Sequence, residues 1–540
     1  MFKSASVKSV SVHEREVPTM SDRSSLNSAT TQVATTEEHL DPREDCAQPP
    51  GTPNTLVPVQ SEQSHDLQKE PVADDDDFEE ADAEQYTRFS PARKIIIVFV
   101  LSYCAFLAPI SSTAILAAVP EISKTFKTTG DIINASNALY LTSMGVASLV
   151  WGPLSQVWGR RPIFVASGVL FFIFTIATAL SPNLPAYFVF RILTAFQGTS
   201  FLVVGSSAIG DVYEPRSRAS AMVWLLSGSM TGPAAGPFLG GVIVTFRSWR
   251  VIFWLLSAMS GFSALMLIFF FPETIHSKTD GDLAGKSLPE KSKLLWQRVS
   301  PVRVIILTFS YPNILITGLA AGALVWNQYA LLTPIRFILN PRFHLNSPIE
   351  CGLFYLAPGA GYLAGTFVGG RWADYFVRKY IKRRNGLRIP EDRLRSCLAF
   401  VCVVAPGCIL VYGWTLDQEV GGIPVPVIAM FLQGVAQLFC FPSINTYCLD
   451  VMHDKGRSAE VIAGNYLFRY VFAALGTGVV LPATKAMGVG WFNTVSALFL
   501  VLSGVLVWLT AEYGPKWREA VDSKYEQKEA QEKEAPCESV

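Results

Sequence analysis

A net charge is absent from this chain: 44 lysines and arginines balance 44 aspartates and glutamates over 540 residues. No case for a nucleic-acid partner follows from that balance. Metal-ligand spacing is absent among the nine cysteines, most of which sit in apolar runs (Cys104, Cys402, Cys408, Cys440, Cys448). Free thiols are expected, and neither a metal nor a cofactor. No nucleophile–base pair stands out, so the sequence does not read as an enzyme. The first long apolar run begins near Ile95, too late for a cleaved signal peptide. Acidic residues are missing from the interior of every long apolar run. Asp131, Asp211, Glu273, Glu350, Asp374, Asp450 and Glu460 all fall at run ends or in loops. Sites for polyamines and other cations usually require a buried carboxylate, so neutral or anionic ligands fit better.

Hydrophobicity is what the chain has in quantity, at half of all residues. Twelve apolar stretches are long enough to cross a bilayer. They run over 95–119, 133–151, 163–180, 187–209, 219–244, 251–271, 312–335, 351–370, 398–414, 425–449, 462–483 and 489–509. The expected protein is all-α, with twelve transmembrane helices in two six-helix bundles, and its lasting partner is the lipid bilayer. Basic residues gather in alternate loops: Arg160 and Arg161, Arg216 and Arg218, Lys286 to Arg303, Arg378 to Arg388, Lys455 and Arg457. Those loops and both termini are therefore expected on the cytoplasmic side. The division is a leader over 1–90, bundles over 91–272 and 312–510, a central loop over 273–311 and a tail over 511–540. The acidic run Asp74–Glu80 makes the leader a candidate for disorder.

Span 5 carries Gly228, Gly232, Gly236 and Gly240 at every fourth residue, with Gly241 after them and Pro233 and Pro237 between. On a helix that spacing leaves one stripe without side chains, against which another helix must press. The prolines each remove a helical hydrogen bond and should bend it. Span 8 repeats the spacing in Ala357, Gly361, Gly365 and Gly369. The halves echo each other again in Gly152-Pro153-Leu154-Ser155-Gln156-Val157-Trp158-Gly159-Arg160-Arg161 after span 2 and Gly370-Arg371-Trp372-Ala373-Asp374 after span 8. An internal repeat of this kind is typical of transporters.

In these residues the chain resembles the major facilitator superfamily, and more closely its fungal twelve-span drug:proton antiporters of the quinidine-resistance type. The turn at Gly152–Arg161, the span 4 run Arg191–Gly198, the span 5 run Gly228–Gly241 and Asn465–Arg469 in span 11 carry the likeness. The resemblance implies the major facilitator fold and alternating access, with the span 5 and span 8 stripes facing one another across the halves; static packing is the other reading of those stripes. It implies coupling and gating roles for Gly152, Arg160, Arg161, Arg191, Asp374 and the span 5 glycines and prolines. Gln156 stands where the family has an acid; it can hydrogen-bond but cannot form an ion pair.

Arg191 lies roughly 9 Å inside the membrane by helical rise. A guanidinium at that depth requires a wet cavity or a bonding partner; Arg469 in span 11 is a similar case. Arginine does not release protons, so coupling would fall to a carboxylate such as Asp211 or Glu350. Candidates for lining the central cavity that the family implies are Ser112, Asn137, Tyr140, Arg191, Trp326, Asn327, Tyr329, Tyr355, Tyr362, Gln433, Gln437, Asn445 and Arg469. Each could equally serve as an interhelical hydrogen bond. The resulting reading is a monomeric plasma-membrane exporter of small organic molecules (drug, secondary metabolite or weak organic acid), driven by protons. An uncoupled facilitator or importer of organic anions and a transport-dead membrane sensor remain open beside it.

Overall fold

The computed structural model describes residues 86–275, 290, 299–339, 342–343, 348–453 and 455–534. The expected disorder of the leader, and most of the central loop, lie outside the described residues. Within them helix follows helix, and no strand occurs. The first six are α1 (Pro91–Thr113, prolonged by a 3-10 turn and Val119–Phe126), α2 (Gly130–Trp158), α3 (Arg160–Ala179), α4 (Leu184–Gly198, resuming as Ser200–Val212), α5 (Arg218–Phe246) and α6 (Arg250–Phe270). The second six are α7 (Pro312–Leu332), α8 (Pro348–Arg383), α9 (Ala405–Asp417, entered through a π turn), α10 (Pro424–Val451), α11 (Ser458–Met487) and α12 (Val489–Glu534). Each carries one of the twelve expected spans.

Local chemistry sets several boundaries. Gly159 turns α2 into α3 with φ +96°, a conformation that favours glycine. Asn183 caps α4 by accepting a hydrogen bond from Ala186 N at 3.0 Å. The outward surface carries large apolar side chains such as Phe99, Phe269, Val403 and Leu498, as a hydrocarbon solvent requires.

Nine of the described helical segments are long and apolar enough to cross a membrane by length and composition. The other three are α2, α5 and α8, which meet the opposite half of the molecule. Small and polar side chains replace apolar ones there, because these faces pack on protein rather than on lipid.

The packing repeats itself. In the first half α1 packs on α5, α2 on α4 and α3 on α6; in the second α7 packs on α11, α8 on α10 and α9 on α12. Adding six to each label of the first set gives the second, so the halves are two pseudo-symmetric bundles. They meet where α5 lies along α8 and α2 along α11, and these two contacts are also exchanged by the same operation.

The expectation that the span 5 and span 8 glycine stripes face each other is overturned. A Cβ on Gly228 would stand 2.2 Å from Ser102 O, and one on Gly240 2.1 Å from Ala114 O. The span 5 stripe thus presses on the α1 backbone, inside its own bundle. On α8, Gly361 and Gly369 press on Phe431 O and Leu438 O of α10. Bare backbone is used where helices of one bundle approach most closely. The α5–α8 seam is built from other residues: Gly352 meets Phe238, Gly359 meets Ala234, and Gly370 meets Ala219 and Ser220.

The apolar stretch of span 12 ends near 509, but the helix does not. α12 continues to Glu534, so most of the expected tail is helical. Its extension is tied to the second bundle by Tyr311 donating to Asp522 at 2.7 Å and by the Arg395–Glu512 pair at 2.8 Å. The end of the central loop forms a further helix, Pro301–Ser310.

Candidate functional site

A small chamber lies between the halves. Its walls come from Pro109 and Ser112 of α1, Leu141 and Met144 of α2, and Ser229, Met230 and Pro233 of α5. The second bundle supplies Val325, Gln328 and Tyr329 of α7 and Arg469, Tyr470 and Ala473 of α11. Apart from those of α7, these residues sit near the middle of their helices. Arg469 is the only charged residue in this lining. It is 3% exposed, and its guanidinium lies 4.4 Å from the Phe441 ring centroid and 4.6 Å from that of Tyr466. Ring faces stabilise a cation by their quadrupole, but they do not neutralise it. Arg469 Nη1 has no hydrogen-bond partner among the described residues.

Of the expected lining residues, Ser112, Tyr329 and Arg469 reach the chamber wall. Arg191 does not. It is 1% exposed, donates to Ser111 O at 2.8 Å, reaches Asn137 Oδ1 at 3.5 Å and stacks over Tyr140 at 4.5 Å. Ser112 donates to the same Asn137 oxygen at 2.9 Å, and Tyr140 to Ala108 O at 3.0 Å. Arg191, Asn137 and Tyr140 thus form a bonded cluster beside the chamber. Trp326 and Asn327 point to α12, donating to Ser496 Oγ at 3.1 Å and Ser496 O at 3.4 Å. Gln437 donates to Leu324 O at 3.0 Å. Tyr355 and Tyr362 are buried on α8, and Gln433 and Asn445 on α10. Ser229 and Tyr470 were not anticipated; a serine inside the small-residue run and a tyrosine beside Arg469 were the available signals.

The second feature is a latch across the halves, at the end of the molecule where the basic loops emerge. Arg218, at the start of α5, is fully buried and ion-paired with Asp450 at the end of α10. Arg393 and Arg388 approach the other Asp450 oxygen at 3.2 Å and 3.1 Å. Arg393 also donates to Pro215 O in the first half. Asp374 accepts from the backbone N–H groups of Ala219 (3.2 Å) and Ser220 (2.9 Å) and from the Ser220 hydroxyl. Its carboxylate thus sits on the N-terminus of α5, where the helix dipole favours negative charge. Burial nevertheless pushes the Asp374 carboxyl up from its ordinary value, outweighing the Arg393 charge and the Ser220 and Ala219 donors. Tyr86 joins from the segment before α1, accepting from Arg218 at 3.3 Å and meeting His453 Nε2 at 3.0 Å.

The matching contact of the other pseudo-symmetric seam carries no acid. Gln156 donates to Gly456 O at 2.9 Å, and Ser148 to Ala463 O at 3.0 Å. Gly152 allows this approach, since a Cβ there would lie 2.7 Å from Ala459 O. Arg160 pairs with Asp211 at 3.0 Å inside the first bundle, and Arg161 donates to Ile268 O at 3.0 Å. Asp211 is therefore in an ion pair rather than at the chamber, and Glu350 is an exposed residue in the first turn of α8. Arg218 and Asp450 were read from sequence only as loop or end charges, and Arg393 was not singled out. Arg218 opens α5 and Asp450 closes α10, while Arg393 stands in the 3-10 turn Pro390–Ser396 before α9.

The Major Facilitator Superfamily profile matches residues 101–477. The chain belongs to the major facilitator superfamily. Among its superfamily relatives, the MFS antiporter QDR3 of Candida albicans is 24% identical and aligns with 79% of each chain. Citrate exporter 1 of Aspergillus niger is 25% identical, covering 82% of this chain and 90% of its own. The proton:xylose symporter XylE superposes with a TM-score of 0.60 at 13% identity, over 78% of this chain and 97% of that one, a likeness of fold alone. A major facilitator protein is a transporter, not an enzyme, and binds small-molecule substrates.

Proposed function

We propose that this chain exports small organic anions by alternating access, coupled to protons, across the plasma membrane. The observation that carries the reading is Arg469: a buried guanidinium on the chamber wall with no carboxylate pairing it among the described residues. A buried charge without a partner is strongly disfavoured, and an anionic substrate supplies the missing one. Two relatives, one an antiporter and one a citrate exporter, agree with export and with acid cargo. The latched end is read as the cytoplasmic one, by its excess of Lys and Arg. Both termini then face the cytoplasm, and residues 91–272 and 312–510 are the two bodies that rock. In that orientation the latched state is the one closed toward the cytoplasm.

Reconstitution in proteoliposomes tests this directly. Efflux of a radiolabelled organic acid is followed with and without an imposed pH gradient. Gradient-driven flux that collapses with a protonophore is expected. Flux indifferent to the gradient would favour an uncoupled facilitator.

A further inference from the structure

Among the buried side-chain groups of the second bundle that no described residue satisfies are Arg469 at Nη1, Gln328 at Nε2, and Gln433 at both amide atoms. Arg469 and Gln328 stand on the chamber wall and are each 3% exposed. Gln433 belongs to the same level. Gln437 is docked on Leu324 O, and α7 and α10 run antiparallel, being an odd number of spans apart. One turn further along each helix sets Gln433 opposite Gln328. The Tyr362 hydroxyl lies beside Gln328 without hydrogen-bond geometry. Buried polar groups are nearly always satisfied, and exceptions call for an explanation. A cluster of such exceptions beside an unneutralised arginine is explained by one ligand that supplies both charge and hydrogen bonds.

We infer that the chamber reads two features of its cargo: Arg469 takes a carboxylate, and Gln328, backed by Gln433, exchanges hydrogen bonds with a hydroxyl on the same small molecule. An amide offers both a donor and an acceptor, which is what a hydroxyl matches. The preferred cargo is then a hydroxycarboxylate rather than a plain carboxylate. This rests on the organic-anion reading above and narrows it.

Malate and succinate differ by one hydroxyl and serve as probes. Their binding to the full-length protein in nanodiscs is measured for wild type and for Gln328→Leu, Gln433→Leu and Arg469→Gln. A site built to hydrogen-bond a hydroxyl discriminates strongly against the analogue lacking it. Wild type is expected to prefer malate by at least about tenfold. Gln328→Leu should bring the two acids to parity through loss of malate affinity, with an unaltered melting temperature and elution volume reporting an intact fold. If Gln328→Leu binds neither acid, Gln433→Leu decides the same question from behind the wall. Equal binding by wild type, or a malate preference that survives both glutamine variants, overturns the hydroxyl subsite and leaves the anion reading standing. Failure of wild type to bind either acid, or unchanged binding of both in Arg469→Gln, defeats the anion reading and this inference with it.

Discussion

Arg469 and Arg191 are both buried arginines, yet their surroundings give them different work. Arg191 donates to Ser111 O and toward Asn137 Oδ1, so removing it takes a buried bond from Ser111 O, while Asn137 Oδ1 keeps its bond from Ser112. Arg191→Gln is expected to lower stability by about 1–3 kcal/mol, read as a lower melting temperature in detergent. Arg469 has its charge on the chamber wall and no such bonds. Arg469→Gln is expected to leave melting nearly unchanged while cutting organic-anion efflux at least about tenfold, as loss of one charge-assisted contact does. The sequence made both arginines conspicuous through depth alone. Which one reaches the chamber was not legible there, because it depends on Asn137 and Ser111 arriving from α2 and α1 to occupy Arg191. The amides of α7 were legible as a polar group, but helical phase sends Asn327 to α12 and Gln328 to the chamber.

Between helices, the glycine stripes and the seam separate into different roles. Because a Cβ on Gly240 would meet Ala114 O at 2.1 Å, Gly240→Ala must move backbone of its own bundle. The expected result is loss of folded protein, by about 1–3 kcal/mol for overpacking, with transport per folded molecule little changed. Ala234→Leu, placed against Gly359 on the true seam, should do the reverse: normal yield and impaired turnover. Stripe spacing identified bare backbone correctly and could not say which neighbour would use it. The latch gives a pH effect whose sign follows from Asp374. Its carboxyl is raised in the closed seam and returns to its ordinary value when the seam opens to water. The closed form therefore binds the proton more readily. Closure is favoured as pH falls toward the ordinary aspartate range and loses that advantage as pH rises through the raised value. Spin-label distances across the seam, recorded down a pH series, should show the closed population growing on acidification and the trend disappearing in Asp374→Asn.

The molecule as a whole is two copies of one packing scheme whose contacts map onto each other by adding six to every helix label. That duplication was visible in the turns after spans 2 and 8, since hydropathy and glycine placement are local properties. The latch was not visible, since Arg218, Asp450 and Arg393 come from three separated stretches and meet only after both bundles form. The departure at Gln156 now has a consequence at this scale. One seam is held by a carboxylate on a helix N-terminus, the other by a neutral hydrogen bond to Gly456 O, so the two seam contacts differ in charge. Opening must break the Arg218–Asp450 ion pair, which joins the halves, while the Arg393–Asp450 pair lies within the second half. Buried ion pairs broken from one side typically cost about 3–5 kcal/mol, so Asp450→Asn is expected to shift the population toward the opened state. The most direct measurement of the rocking-bundle account is the distance between spin labels at the exposed positions Arg216 and Lys382, one in each half at the latched end. A single short distance at rest is expected, joined by a longer one in Asp450→Asn and, in wild type, during organic-anion turnover. One unchanging distance in all three conditions, in a protein still transporting, would contradict it.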